Sequence, residues 1–236
     1  MKKKRIGAII LAAGKGKRMH SHVQKQYLLL MGKPLMLHSL RMFEQSPIHE
    51  IVLVVGIGET ERVKREFLEG EPLKKLTAVV EGGQERYHSV YAGLQALTAC
   101  DYVLIHDGAR PLVTREIICR AIDGVVRYQA CVAGMPVKDT IKLVDQAGFS
   151  QETLERARLW QIQTPQAFSY DVARSAYDWI MEDESRQAGI TDDAMVVENR
   201  GGYRVRMIEG SYENIKVTTP EDLVVAEALM RRREGL

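Results

Sequence analysis

The chain has 236 residues, enough to bury the core of one large domain. Its 45% apolar and 27% charged residues are ordinary for a globular protein and exclude a disordered or fibrous class. A net charge of only +2 excludes a general attraction to nucleic acid or an anionic membrane, so the positive charge that matters must be local.

The basic start, Lys2 to Arg5, leads into a short apolar run and a glycine turn, which is unlike a signal peptide. No apolar stretch approaches the ~20 residues that cross a bilayer. The run 6–11 reads as a core strand emptying into Ala12, Ala13, Gly14, Lys15, Gly16, Lys17 and Arg18, with Lys25 seven residues further on. Two glycines let the backbone approach a ligand and aim N–H groups at an anion, and four cations around them suit several phosphates. A triphosphate is the expected guest. Two better-known glycine loops are excluded. Met19 stands where a dinucleotide fingerprint needs Gly or Ala, the second strand ends in Gly56 without an acid, and no Walker A spacing occurs. His20 and His22 have no further metal ligands nearby and read as a loop coincidence.

Further strands are expected at 51–55, 77–80, 102–106, 130–136 and 203–208. Helices are expected at 34–45, 59–68, 86–99, 114–128 and 170–184, and a last one begins at Pro220 with Glu221 and Asp222 at its positive end. This alternation predicts an α/β fold with a mostly parallel twisted sheet and helices on both faces, in a single domain spanning 1–236. Ligands in such sheets sit beyond the carboxyl ends of the strands, where the loops after Leu11, Val80 and His106 fall. The second of these carries Gly82, Gly83, Gln84 and Arg86 and leads to Ser89; the third carries Asp107 and Arg110. Cys100, Cys119 and Cys131 form no CxxC pair and are odd in number, which fits core residues of a cytoplasmic protein.

Residues 137–164 break the rhythm. They are expected to form a protruding arm, with strands at 140–144 and 158–163 and a turn or weak helix between them. An isolated strand pair is marginally stable in water, so a second subunit is the expected support. Beyond the arm, the segment 210–222 carries Lys216 in front of the final helix.

Eight segments in order, AAGKGKRM, KQYL, GGQERYHSV, HDGARP, PVKDTIK, LWQIQTPQAF, TDDA and NIKVTTPEDL, resemble one family over essentially the whole chain. It is the bacterial and plastid cytidylyltransferases acting on 2-C-methyl-D-erythritol 4-phosphate in non-mevalonate isoprenoid synthesis. The resemblance implies a Rossmann-like sheet, CMP transfer from CTP with release of pyrophosphate, Mg²⁺ as cofactor and a homodimer. It places Ala12, Ala13, Gly14, Gly16, Gly83, Gln84 and Ser89 around the nucleotide. It places Arg18 and Lys25 at the α-phosphate, and Asp107, Arg110 and Lys216 at methylerythritol phosphate, with Lys216 also counted in the catalytic set. Thr140 and Arg156 would reach from the arm into a partner's site, Arg156 with a catalytic role. Neither nucleic acid nor a membrane is an expected partner.

Two positions depart from the family. Pro commonly precedes the lysine where this chain has Gln24, and Asp is frequent where Gln84 stands. Chemistry supports the residue types independently. A phosphate monoester, with a second pKa of about 6, is already an oxyanion at neutral pH and needs no general base. His106 and His88 therefore read as structural. A related cytidylyltransferase family using ribitol 5-phosphate shares the glycine loop and the HDGARP-like turn, but TDDA and KQYLLL lean toward methylerythritol. An inert nucleotide-binding module would lack Arg18, Lys25 or Lys216, and all three are present.

Overall fold

A computed structural model describes residues 4–14 and 24–235. Gly16, Arg18 and the His20/His22 pair lie outside the described residues. The chain runs β1 (Ile6–Ala12), β2 (Leu29–Leu30), β3 (Lys33–Pro34), α1 (Leu35–Glu44), β4 (Glu50–Val55), α2 (Thr60–Val63), β5 (Leu76–Glu81), α3 (Arg86–Ala96) and β6 (Tyr102–Asp107). It continues through α4 (Arg115–Tyr128), β7 (Ala130–Pro136), β8 (Lys142–Val144), β9 (Ser150–Thr153), β10 (Trp160–Ser169), α5 (Tyr170–Met181), α6 (Asp193–Arg200), β11 (Arg206–Glu209) and α7 (Pro220–Glu234).

Seven strands form one sheet in the order β11-β7-β10-β6-β1-β4-β5. All pairings are parallel except those of β10, which runs antiparallel to both β6 and β7. The expected α/β fold with a mostly parallel sheet is therefore observed. Strands β1, β4 and β6 are near-continuous apolar runs because both of their faces are covered. Ala8, Ile10, Leu53 and Leu104 face α1 and α4, while Ile9, Val52, Val54 and Val103 face α3 and α5. A third cluster, with Leu30, Leu35, Val217, Ala226 and Met230, seats α7 over the β2–β3 ribbon.

Local chemistry fixes the helix starts. Thr219 and Asp222 form a reciprocal cap on α7 with Pro220 inside its first turn, and Thr114 accepts the Ile117 N–H to start α4. Pro34 instead ends the β2–β3 ribbon just ahead of α1. Cys131 is buried and Cys100 half-buried, and burial pushes both thiols up to about 12, so they behave as apolar packing groups.

The arm is built differently from the expectation. Its strand pair is β8 with β9, so the segment read as a turn or weak helix holds a strand. Residues 158–163 do not pair with 140–144; from Trp160 onward they belong to β10 in the main sheet. Pro165 disguised that long strand by seeming to end it. The β10 register shifts between Ile162 and Gln166, so the ladder does not need the missing Pro165 N–H. Every residue of β8 and β9 is exposed, which removed the alternating pattern that marks a half-buried strand. The last strand begins at Arg206, three residues later than expected. Helix α6 begins inside TDDA, capped by Asp192, whose side chain accepts the Met195 N–H, and it was not expected.

Candidate active site

Three turns meet at the carboxyl edge of β1, β5 and β6. Gly108 N donates to Leu11 O at 2.8 Å, and Gly82 N donates to Val55 O at 2.7 Å, which binds the turns to neighbouring strand ends. The glycine pair is required by close packing. A Cβ on Gly82 would lie 2.5 Å from Ser89 Oγ and 2.7 Å from Ala13 Cβ, and one on Gly83 would lie 2.3 Å from His88 Cβ. Ser89 Oγ accepts the Gly83 N–H at 3.2 Å, so the turn and the first turn of α3 form one unit.

These turns enclose a cavity of about 270 Å³ lined by Leu11, Ala12, Ala13, Gly14, Lys25, Gln26, Gly83, Gln84, Glu85, Arg86, Ser89, Asp107, Ala109 and Lys216. A second cavity of about 260 Å³ is lined by Arg86, Asp107, Arg110, Ile162, Gln163, Thr164, Gln166, Thr191, Asp192 and Lys216. Arg86, Asp107 and Lys216 line both. The structure thus offers two compartments with a charged boundary between them.

That boundary is a network of ions. Lys216 Nζ lies 2.7 Å from Asp107 Oδ2, Arg86 Nε 3.3 Å from Asp107 Oδ1, and Arg110 Nε 3.9 Å from Asp107 Oδ2. Burial works to raise the Asp107 pKa, but Arg86, Lys216 and Arg110 outweigh it and hold the carboxyl well below the usual range. Burial likewise opposes charge on Arg86, and Asp193 with Asp107 overcomes it, raising Arg86 well above the ordinary value. Asp193 is fully buried and also accepts the Tyr177 hydroxyl.

Lys216 is placed by the loop before α7. Buried Asn214 donates to Gln163 Oε1 at 3.2 Å and Thr164 O at 2.9 Å, and its own carbonyl accepts from Arg110 Nη1 at 2.8 Å. Val217 N donates to Ala109 O at 2.8 Å. The shifted register of β10 supplies these partners, because Gln163 and Thr164 sit within the irregular stretch.

The nucleotide-side residues Ala12, Ala13, Gly14, Gly83, Gln84, Ser89 and Lys25 come together in the first cavity, and Asp107, Arg110 and Lys216 in the second. The Arg110 guanidinium, however, donates to the Asn214 and Ile162 carbonyls, so part of its hydrogen-bonding capacity is structural. Thr140 and Arg156 line neither cavity; both are exposed, and Arg156 Nη1 donates to Lys138 O at 2.9 Å. Gly16 and Arg18 lie outside the described residues.

Both histidines are structurally engaged. His106 is fully buried, with Nδ1 3.0 Å from Thr164 Oγ1 and Nε2 3.3 Å from Arg110 O. Burial lowers its pKa to about 3 against the opposing pull of Asp107. His88 Nδ1 accepts the Glu85 N–H in the cap of α3. Sequence reasoning gave no role to Arg86, Gln163, Thr164, Thr191, Asp192 or Asp193. Arg86 and the Thr191–Asp193 run stood inside quoted motifs, and charged residues beside a glycine turn or a helix start were the available signal.

The family described as IspD, 2-C-methyl-D-erythritol 4-phosphate cytidylyltransferase, matches residues 6–232. The chain belongs to this family. A 2-C-methyl-D-erythritol 4-phosphate cytidylyltransferase of Lachnoclostridium phytofermentans is 46% identical over 230 residues, covering 98% of each chain. One of Lachnospira eligens is 48% identical over 225 residues, covering 95% of this chain and 98% of that one. The crystal structure of 4-diphosphocytidyl-2C-methyl-D-erythritol synthase from Anaerococcus prevotii superposes with a TM-score of 0.83 at 31% identity, covering 97% of this chain and 96% of that one. As a family member, the chain is a nucleotidyltransferase with a Rossmann-like α/β fold.

Proposed function

We infer that this chain carries out its family's reaction at the two-compartment site. CMP passes from CTP to 2-C-methyl-D-erythritol 4-phosphate, giving 4-diphosphocytidyl-2-C-methyl-D-erythritol and pyrophosphate, a step of isoprenoid synthesis. The carrying observation is the boundary shared by the cavities. Two polyanions brought together there meet Arg86 and Lys216, with Asp107 between them. CTP occupies the first cavity along Ala12, Ala13, Gly14, Gly83, Gln84 and Ser89, and the acceptor occupies the second against Asp107, Arg110 and Lys216.

The acceptor's phosphate oxygen forms the new bond to the α-phosphorus as the α–β bridging bond breaks. Pyrophosphate leaves with the bond's electron pair. No proton need be removed from the nucleophile, and buried neutral His106 is not required as a base. Catalysis is positioning and charge neutralisation. Lys25 and Arg18 neutralise the α-phosphate. The Lys25 stem passes Gly14, its Cε 3.8 Å from where a Gly14 Cβ would stand.

Mg²⁺ fits this donor set as part of a metal–nucleotide complex. Among the described residues no group of three His, Cys, Asp or Glu side chains converges as a ligand set, and Asp107 is held by cations. The triphosphate oxygens and water would complete the shell, as Mg²⁺ usually requires. Lys25 and the backbone of Ala13 and Gly14 would hold that complex. The ion supplies charge neutralisation on the phosphates.

The arm supports a homodimer in which Thr140 and Arg156 serve the neighbouring site. Leu143, Val144 and Phe149 are 49%, 53% and 72% exposed on a ribbon that is marginal by itself. A cytoplasmic location fits the cysteine usage, and among the described residues no helix is long and apolar enough to cross a membrane. The nucleotide assignment is tested by pyrophosphate release with methylerythritol phosphate, Mg²⁺ and each of four nucleoside triphosphates. CTP is expected to dominate, and equal turnover of UTP would contradict the cytidylyl reading.

A further inference from the structure

Lys25 can neutralise a phosphate only if the short turn beneath it is held still. The turn is a single 3-10 stretch, Lys25–Tyr27, closed by Tyr27 N donating to Gln24 O at 3.0 Å and Leu28 N to Lys25 O at 3.2 Å. One turn fixes little by itself, because ordering its residues costs more than its few hydrogen bonds return. Something outside must hold it.

That support is a carboxylate from the loop after β4. Glu59 Oε1 accepts from Gln24 Nε2 at 2.9 Å, and Glu59 Oε2 accepts from Tyr27 Oη at 2.9 Å. The two oxygens therefore grip the chain immediately before Lys25 and two residues after it. Gln24 is braced in turn by Gln26 Nε2 at 2.5 Å. Tyr27 is 3% exposed and stacks on Phe67 at 5.0 Å between ring centres, with the Arg62 guanidinium over both rings. Arg62 also lies 3.6 Å from Glu59 Oε1, so the carboxylate has a counter-charge on its own helix. Gly56 makes room for it, since a Cβ there would stand 2.3 Å from Glu59 Oε2.

We propose that Glu59 is a positioning residue for the cytidylyl transfer, clamping Gln24 and Tyr27 so that Lys25 meets the α-phosphate. The clamp gives a physical reason for Gln24 where the family commonly has proline. A ring would fix the backbone by its own stiffness; here a side-chain bond to Glu59 does that work. The proposal rests on the assignment of Lys25 to the α-phosphate. Glu59 touches no substrate. Its loss should act on the rate through Lys25, with little effect on how CTP is held by the glycine turns.

The experiment measures kcat and KM for CTP in Glu59→Ala, Glu59→Gln, Gln24→Ala, Lys25→Ala and the Glu59→Ala/Lys25→Ala double variant. Glu59→Ala is expected to lower kcat about tenfold or more, the scale of loss that slight misplacement of a reacting group produces, with KM for CTP changed less than kcat. Glu59→Gln keeps an acceptor and should recover part of the rate. Gln24→Ala should show a smaller loss of the same kind without opening a core cavity. The double variant should be no slower than Lys25→Ala alone. Amide hydrogen exchange should rise in peptides covering residues 24–28 while the peptides of β1, β4 and β6 stay protected. Wild-type kcat in Glu59→Ala, or a double variant whose losses multiply, would overturn the clamp. If Lys25→Ala is slow and Glu59→Ala is not, the clamp alone fails; if Lys25→Ala is itself at wild-type rate, the assignment of Lys25 fails and takes the clamp with it.

Discussion

Arg86 and Asp193, 107 residues apart in sequence, form a two-pronged ion pair, with Nη1–Oδ1 at 2.5 Å and Nη2–Oδ2 at 2.8 Å. Asp193 opens α6 and Arg86 opens α3, so the pair ties two helices together directly behind the boundary of the two cavities. It also fixes the Arg86 guanidinium so that its Nε meets Asp107 Oδ1 at 3.3 Å, while Lys216 takes the other oxygen, Oδ2, at 2.7 Å.

Removing Asp193 leaves Arg86 with Asp107 alone, a carboxylate that Lys216 and Arg110 already share. Asp193→Ala is expected to destabilise the fold by about 3 kcal/mol or more, the usual scale for breaking a buried pair. Tyr177→Phe removes a single hydrogen bond to the same carboxylate and should cost about 2 kcal/mol, the scale for a hydrogen bond to a charged group. Urea midpoints at constant m-value provide the check. Equal effects of the two variants would show that the ion pair contributes little beyond its hydrogen bonding.

The reach of the sequence reading follows from which signals are local. Gly14, Gly83, Asp107 and their neighbours were readable because a buried strand followed by a glycine or acid turn is contained within ten residues. The Arg86–Asp193 pair was not, since nothing in the residues near either one specifies the other. Pro165 and polar Gln161, Gln163 and Gln166 hid β10, whose register shift is what brings Gln163 and Thr164 to Asn214. The arm stood out by its missing helical rhythm and its first strand falls within the expected 140–144, yet the second was misplaced because β9 buries neither face. Gln24 stands where the family commonly has proline, and its hydrogen bond to Glu59, 35 residues away, has no local signal.

Lys25→Ala and Arg18→Ala are each expected to reduce turnover on the order of 10²–10³-fold, the usual loss for one donor to transition-state charge. Steady-state kcat with saturating CTP is the measurement, with circular dichroism showing that the fold is kept. A near-normal kcat in either variant removes that residue from the transition state.

Arg156 is exposed on the arm and lines neither cavity of its own chain, as a residue serving a neighbour should. Mixing inactive Lys25→Ala with inactive Arg156→Ala protein is expected to restore activity, because each mixed dimer holds one site with both side chains. No recovery after confirmed subunit exchange, or a monomer by light scattering, would rule out the shared site.

His106 links stability to acidity. Its folded pKa, lowered by burial to about 3, lies below the unfolded value of 6.5, so the unfolded chain binds the extra proton first. The contribution is complete above pH 6.5 and is lost as pH falls toward 3, amounting to as much as about 5 kcal/mol at about 1.4 kcal/mol per unit. Unfolding free energy measured from pH 7 to pH 4 should fall less steeply in His106→Gln than in the parent chain. Parallel slopes would mean that His106 is not the group responsible.

The central claim is that the second cavity takes a phosphorylated methylerythritol against Asp107, Arg110 and Lys216. Polar groups arranged this way should reject an acceptor lacking its phosphate, because they would be left unpaired. Pyrophosphate release with CTP and Mg²⁺ across three acceptors tests it most directly. The account predicts that kcat/KM for 2-C-methyl-D-erythritol 4-phosphate exceeds that for ribitol 5-phosphate by at least about tenfold, the discrimination available from one apolar group in a pocket, and that dephosphorylated methylerythritol gives no product. Equal or better use of ribitol 5-phosphate would contradict it.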